Sequence, residues 1–218
     1  MCIRDRINAV NDAPIRTAGD VETLYLLEDE AIASMGLAGV TYSAGGGADE
    51  NAQTARLVIK ATSLPSAGFG TVFHADGTTA VTLNEVLDLA ELQGLKFEPG
   101  TNATGSENFV FTVTDDGTTN GVADPLTLTE TLAINITPFN DTPVLPTDAI
   151  VFETDGVERT ATEDTTFDFV LADLLNGVTD PDINDDGTNP YGDVLTVDPT
   201  SVTATNGSIA YDLSLIHI

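Results

Sequence analysis

The chain has 218 residues, of which 41% are apolar and 6% aromatic; this is the make-up of a folded chain, long enough for one large or two ordinary domains and too apolar for an acidic disordered tail. Seven Lys and Arg stand against 35 Asp and Glu, a formal charge of −28, so the positive footprint that nucleic acid or anionic lipid requires is missing. Self-repulsion on that scale makes a divalent cation the first partner to consider, and no apolar run approaches the ~18 residues of a membrane span, so direct membrane insertion is not expected.

The two ends differ from the rest. MCIRDR carries the single cysteine, Cys2, with Arg4 and Arg6, and SLIHI closes the chain on an apolar run. Both strings resemble translated sequencing-adapter read-through and are set apart from the fold reasoning. Residues 1–10 are read as this artefact followed by the last strand of a preceding repeat, and 214–218 as artefact.

INAVNDAPI at 7–15 returns as ITPFNDTPV at 136–144. The distance from Asn11 to Asn140 is a domain's length, so the pair marks a repeat boundary, with one unit over 11–140 and a second, incomplete, over 141–213. Between the two motifs, runs of alternating character predict strands. TARLVIKATS (54–63) alternates Leu57 and Ile59 with Val58 and Lys60. ENFVFTVTD (107–115) puts Phe109, Phe111 and Val113 on one face, and LTLTETLAINIT (126–137) alternates over most of its length. HADGTT, PGTNATG and DDGTTNG supply Asp-Gly, Asn and Gly for the turns between them. LNEVLDLAELQGL (83–95) instead spaces its leucines near the helical period and ends at Gly94, which predicts a short helical crossing. About seven strands in two antiparallel sheets, an immunoglobulin-like or cadherin-like β-sandwich, account for the first unit. In the second, strands are predicted at AIVFE (149–153), TFDFVLA (166–172), VLTVD (194–198) and SIAYDL (208–213), too few to close a sandwich.

Acidic clusters keep a fixed order along the units. Asn11-Asp12 and Asn140-Asp141 open them; Glu28-Asp29 and Glu163-Asp164 follow in early strands. An acidic loop comes next, GGGADENAQT (45–54) in one and TDPDINDDGTNPYGD (179–193) in the other, and VTDDG (113–117) lies late in the first. This order resembles the bacterial cadherin-like tandem repeats of large surface adhesins and RTX-type secreted proteins, over nearly all of 7–213. The resemblance implies calcium at domain junctions. Carried over by position, the junction between the units would use Glu28, Asn140, Asp141, Asp180 and Asp182, and the upstream junction Asn11, Asp12, Asp49 and Asp115. A set made only of oxygen donors suits a hard ion that takes 6 to 8 of them, so calcium is better matched than zinc or iron.

A separate calcium reading lies within 179–193. With Asp182 as position one of an EF-hand-like loop, Asn184, Asp186, Gly187 and Asp193 fall at positions three, five, six and twelve. Each cluster by itself also reads as a solvated turn, since an Asx side chain bonds its own backbone while Pro stiffens the linker. His74 is expected to face solvent beside the Asp76-Gly77 turn.

No G-x-S-x-G elbow, Cys-His pair or phosphate-binding loop supports an enzyme. The expected function is that of a structural and adhesive repeat of an extracellular or cell-surface protein, its partners being calcium, neighbouring repeats of the same chain and a cell-surface or glycan target. The alternative is a carbohydrate-binding or spacer module of a secreted polysaccharide-degrading enzyme.

Overall fold

The computed structural model describes residues 10–46, 56–147, 153–154, 157–158, 164–166, 171–182 and 195–198. The chain divides into two compact units, Met1–Phe139 and Asn140–Ile218. It is an all-β chain with very little helix.

In the first unit, β1 (Ile15–Ala18) pairs with β4 (Thr41–Ser43), and β3 (Ala33–Ser34), β8 (Lys96–Pro99) and β6 (Gly70–Phe73) form a three-stranded sheet in the order β3-β8-β6. A five-stranded sheet contains β2 (Leu24–Leu27), β5 (Val58–Ser63), β7 (Val86–Leu87), β9 (Gly105–Thr114) and β12 (Thr127–Thr137), in the order β2-β12-β9-β5-β7. A small ribbon of β10 (Thr118–Thr119) and β11 (Val122–Ala123) rises between β9 and β12, turning at Asn120 and Gly121. Both turn residues have positive φ, 55° and 80°, the backbone that a tight hairpin demands and that Asn-Gly supplies with least strain.

The long strands follow their alternation. On β9, Phe109, Phe111 and Val113 are buried, and on β12 so are Leu132, Ile134 and Ile136. They share one hydrophobic cluster with Phe97 and Val72 of the three-stranded sheet. Phe109 stacks on Phe111 with ring centroids 5.7 Å apart, while Tyr42 meets Phe111 edge-on at 6.4 Å. Burial of the Tyr42 phenol, with the Glu130 carboxylate close by, holds its ionisation well above the ordinary tyrosine range.

The structure corrects two sequence expectations in this unit's sheet and helix. The five-stranded sheet is not wholly antiparallel, because β2 runs parallel to β12, with Leu24 opposite Ile134 and Leu27 opposite Thr137. Parallel neighbours need a long connection, and nearly the whole unit lies between these two, so no short-range signal announces the pairing. The helix is shorter than its leucine spacing predicts. It covers Leu89–Gln93 as α1, started by a capping box in which Asp88 accepts from the Glu91 N–H and Glu91 reaches back to the Asp88 N–H. Upstream, Asn84 takes φ 67° and Val86–Leu87 is strand β7.

In the second unit, β13 (Glu153–Thr154) and β14 (Val157–Glu158) form a hairpin, and a 3-10 turn covers Leu171–Leu175. Leu171 and Ala172, expected to end a strand, belong to that turn, and 195–198 contain no strand. Period-two runs this short do not fix a strand without a partner to pair with. The expected strand at 208–213 and most of 149–153 lie outside the described residues.

Phe111 has aromatic neighbours on two sides and no exposure. Phe111→Ala should therefore cost about 3–5 kcal/mol, read as a lower urea midpoint of the full chain by circular dichroism. A change below about 1 kcal/mol would mean that the aromatic cluster is not the centre of this core.

Candidate functional site

The opening motif of the first unit folds onto its late acidic turn. Asn11 and Asp115 are each 4% exposed, and the Asn11 Nδ2 amide donates to Asp115 Oδ1 at 2.9 Å and to the Asp124 carbonyl at 2.8 Å. The Asn11 backbone N–H donates to Thr119 Oγ1. Asp115 Oδ1 also accepts the N–H groups of Gly117 and Leu126, both at 3.0 Å. This one carboxylate oxygen thus closes the base of the β10-β11 ribbon and holds residue 11 against it. Gly117 is glycine for a steric reason: a Cβ there would overlap the Asn11 amide. Nearby, Arg56 pairs with Asp116 at 2.8 Å.

Two oxygens of this pair are left over. Asn11 Oδ1 and Asp115 Oδ2 are buried and make no hydrogen bond among the described residues. An uncompensated buried polar atom costs roughly 1–3 kcal/mol, more when charged, and both are the hard oxygen donors that calcium prefers. Of the other residues expected at the upstream junction, Asp12 is exposed and Asp49 lies outside the described residues.

Glu28 follows β2 in a turn rather than lying within the strand. It is 6% exposed. Its backbone N–H donates to the Thr137 carbonyl at 2.9 Å, and its Oε1 accepts the Phe139 N–H at 2.7 Å. The carboxylate therefore sits at the C-terminal edge of the first unit. Its neighbour Asp29, at φ 55°, turns away and accepts the Asn102 N–H.

In the second unit, the start and the acidic loop are brought together. An isolated bridge joins Val144 to Thr179, which places Asp141 beside the Asp180-Pro181-Asp182 turn. The Asp141 N–H donates to Asp182 Oδ2 at 2.6 Å, and the Asp182 N–H donates to Asp180 Oδ1 at 3.0 Å. Asp182 is buried, Asp141 and Asp180 are half-buried, and Asn140 is exposed. Asn184, Asp186 and Asp193, the remaining positions of the EF-hand-like reading, lie outside the described residues, as does Glu163. Asp164 is exposed at φ 62°.

Glu28 in the first unit and Asp141 and Asp182 in the second form a set of carboxylates that are each at least half-buried. No Cys or His belongs to that set, so its donor chemistry is oxygen alone.

Sequence reasoning missed Thr119, Asp124 and Gly117, which support Asn11 and Asp115 from the turn DDGTTNGVAD. The signal that was available is the last Asp of that stretch, Asp124, seven residues after Gly117 and beyond the Asn-Gly hairpin. It also misplaced His74. That side chain is 18% exposed and bonded through Nε2 to Glu85 Oε1 at 2.9 Å, on the wall of a shallow open hollow lined by Asp76, Glu85, Asp88 and Glu91. The Thr82 backbone N–H, then the Thr82 hydroxyl, holds the Glu85 carboxyl below its ordinary value.

No family model, no curated protein and no solved structure matches the chain.

Three outcomes are expected. Asp115→Ala strips three donors of their acceptor and should lower unfolding stability by about 2–3 kcal/mol. Gly117→Ala should destabilise in the same direction as Asn11→Ala, since both remove the amide from its seat, and a Gly117→Ala variant as stable as the parent would refute that packing. For Glu85 the folded pKa is depressed, so its contribution is present above the unfolded glutamate value and lost as pH falls through the folded one. The drop in urea midpoint on acidification should accordingly be smaller in Glu85→Gln than in the parent.

Proposed function

We propose that the chain is part of a tandem array of cadherin-like β-sandwich repeats in a secreted, surface-located adhesive protein, with calcium bound at the repeat junctions. The observation that carries this reading is the pair of buried oxygens left over at the opening motif, Asn11 Oδ1 and Asp115 Oδ2, in a chain whose opening motif recurs at Asn140-Asp141. A five-stranded and a three-stranded sheet that share one core support the sandwich.

In this reading an ion at the start of the first unit takes Asn11 Oδ1 and Asp115 Oδ2. At the next junction the resemblance would draw Glu28 from one repeat and Asn140, Asp141, Asp180 and Asp182 from the following one. Calcium supplies positive charge there; the protein supplies carboxylates already oriented by N–H donors. Neutralising carboxylates from two repeats with one ion would fix one repeat against the next, so the array would be stiff where calcium is plentiful.

Titration calorimetry on the full chain should show calcium uptake, and saturation at about 100 times Kd should stabilise the folded state by about 2.7 kcal/mol. Glu28→Gln and Asp182→Asn should each weaken the junction ion while leaving uptake at Asn11 and Asp115 in place. Small-angle scattering should report a narrower range of interdomain distances with calcium than with chelator. Identical scattering in both conditions, together with no heat of binding, would sink the reading.

A further inference from the structure

Charge singles out one surface of the first unit. In a chain with 35 acidic residues, the outward face of the five-stranded sheet, the broadest sheet among the described residues, has no carboxylate. Its five strands contain two acids, Glu107 and Glu130, and both fall in step with the buried positions rather than with the outward ones. Glu107 accepts from the Ser66 N–H and hydroxyl, and Glu130 pairs with Arg16. The outward positions carry hydroxyls, amides and aliphatic groups, Leu27, Val58 and Val86 among them, with Lys60 as their single charge. Thr112 lies opposite Thr129 and Thr114 opposite Thr127, the latter pair sharing a hydrogen bond at 2.9 Å. At the β2 edge Tyr25 is 71% exposed.

This composition selects the partner. An anionic polymer is repelled by a net charge of −28, and a cationic one is drawn to the carboxylates elsewhere rather than to this face. A second copy brings its own charge, screened only over about 8 Å at physiological ionic strength. A neutral partner meets none of these terms. The hydroxyls recur about every 6.8 Å along a strand and about 4.8 Å across strands, and each is both donor and acceptor. They match a polymer that is itself a ladder of hydroxyls, and the exposed Tyr25 ring offers an apolar face to a sugar ring. We propose that the outward face of the five-stranded sheet binds a neutral polysaccharide. This rests on the adhesive part of the function proposed above and not on its calcium part.

The test is affinity electrophoresis of the full chain through gels containing dextran, soluble starch or hydroxyethylcellulose, with alginate as the anionic control, each in calcium and in chelator. Retardation by at least one neutral polymer and none by alginate is expected. Tyr25→Ala and Thr129→Asp should weaken it at least tenfold while leaving the melting curve unchanged, and Lys60→Gln, which leaves the hydroxyls in place, should retain it. The proposal is overturned if no neutral polymer retards the chain, or if Tyr25→Ala and Thr129→Asp both bind as the parent does. It is also overturned if sedimentation shows a dimer that Thr129→Asp dissolves in the absence of any glycan binding, which would assign the face to a second copy. Glycan binding that persists in chelator, in a chain that takes up no calcium, would remove the calcium reading alone. Calcium uptake without glycan binding would remove this inference alone.

Discussion

The hydrogen bond from a backbone N–H to a carboxylate oxygen is the interaction on which this protein depends. With seven basic side chains for 35 acids, ion pairs cannot compensate the carboxylates, and N–H and hydroxyl donors take their place. Asp115 accepts from Gly117, Leu126 and Asn11, and Asp76 from Thr78 and Thr79. Asp88 and Glu91 start the helix, and Glu28 and Asp182 hold segments next to the boundary between the units. Bonds of this kind are charge-assisted and about twice as strong as neutral ones. They commit carboxylates to fixing turns, and for that reason the turns, rather than the strands, carry the acid.

The same arrangement sets up the candidate ion sites. A carboxylate held through one oxygen presents the other in a fixed direction. Asp115 shows this most completely, since its Oδ1 is used three times over and its Oδ2 is buried without a hydrogen bond among the described residues. Ordering is a large part of the entropic cost of binding, and here much of it is met by the fold. A cation arriving at such a place meets donors that do not have to be collected from solvent.

Strands β5, β9 and β12 were legible in the sequence because a period of two is a local signal and their inward residues, such as Ile59, Phe109 and Ile134, are large and apolar. Asn11 and Asp115 were legible as ligand candidates through the order of the acidic clusters, but their direct contact was not, because 104 positions separate them and nothing local encodes that closure. The parallel β2-β12 pairing was hidden for the same reason. The helix was overread: Leu83 and Leu89 fit a helical period, yet Asn84 in the left-handed region and the Asp88 cap restrict it to one turn and a half. His74 was misplaced because its partner, Glu85, lies across a turn. In the second unit the apolar runs at 166–172 and 194–198 were read without knowing what they could pair with.

The parallel alignment of β2 with β12 has a mechanical consequence. These strands lie near the two ends of the first unit, and their ladder is extended by the bonds from the Thr137 hydroxyl to Leu26, from the Glu28 N–H to Thr137, and from the Phe139 N–H to Glu28. Tension applied between the N-terminal side of β2 and the C-terminal side of β12 acts along the ladder, in shear. The bonds then share the load and must yield together, whereas in a hairpin pulled open at its mouth they would fail one at a time.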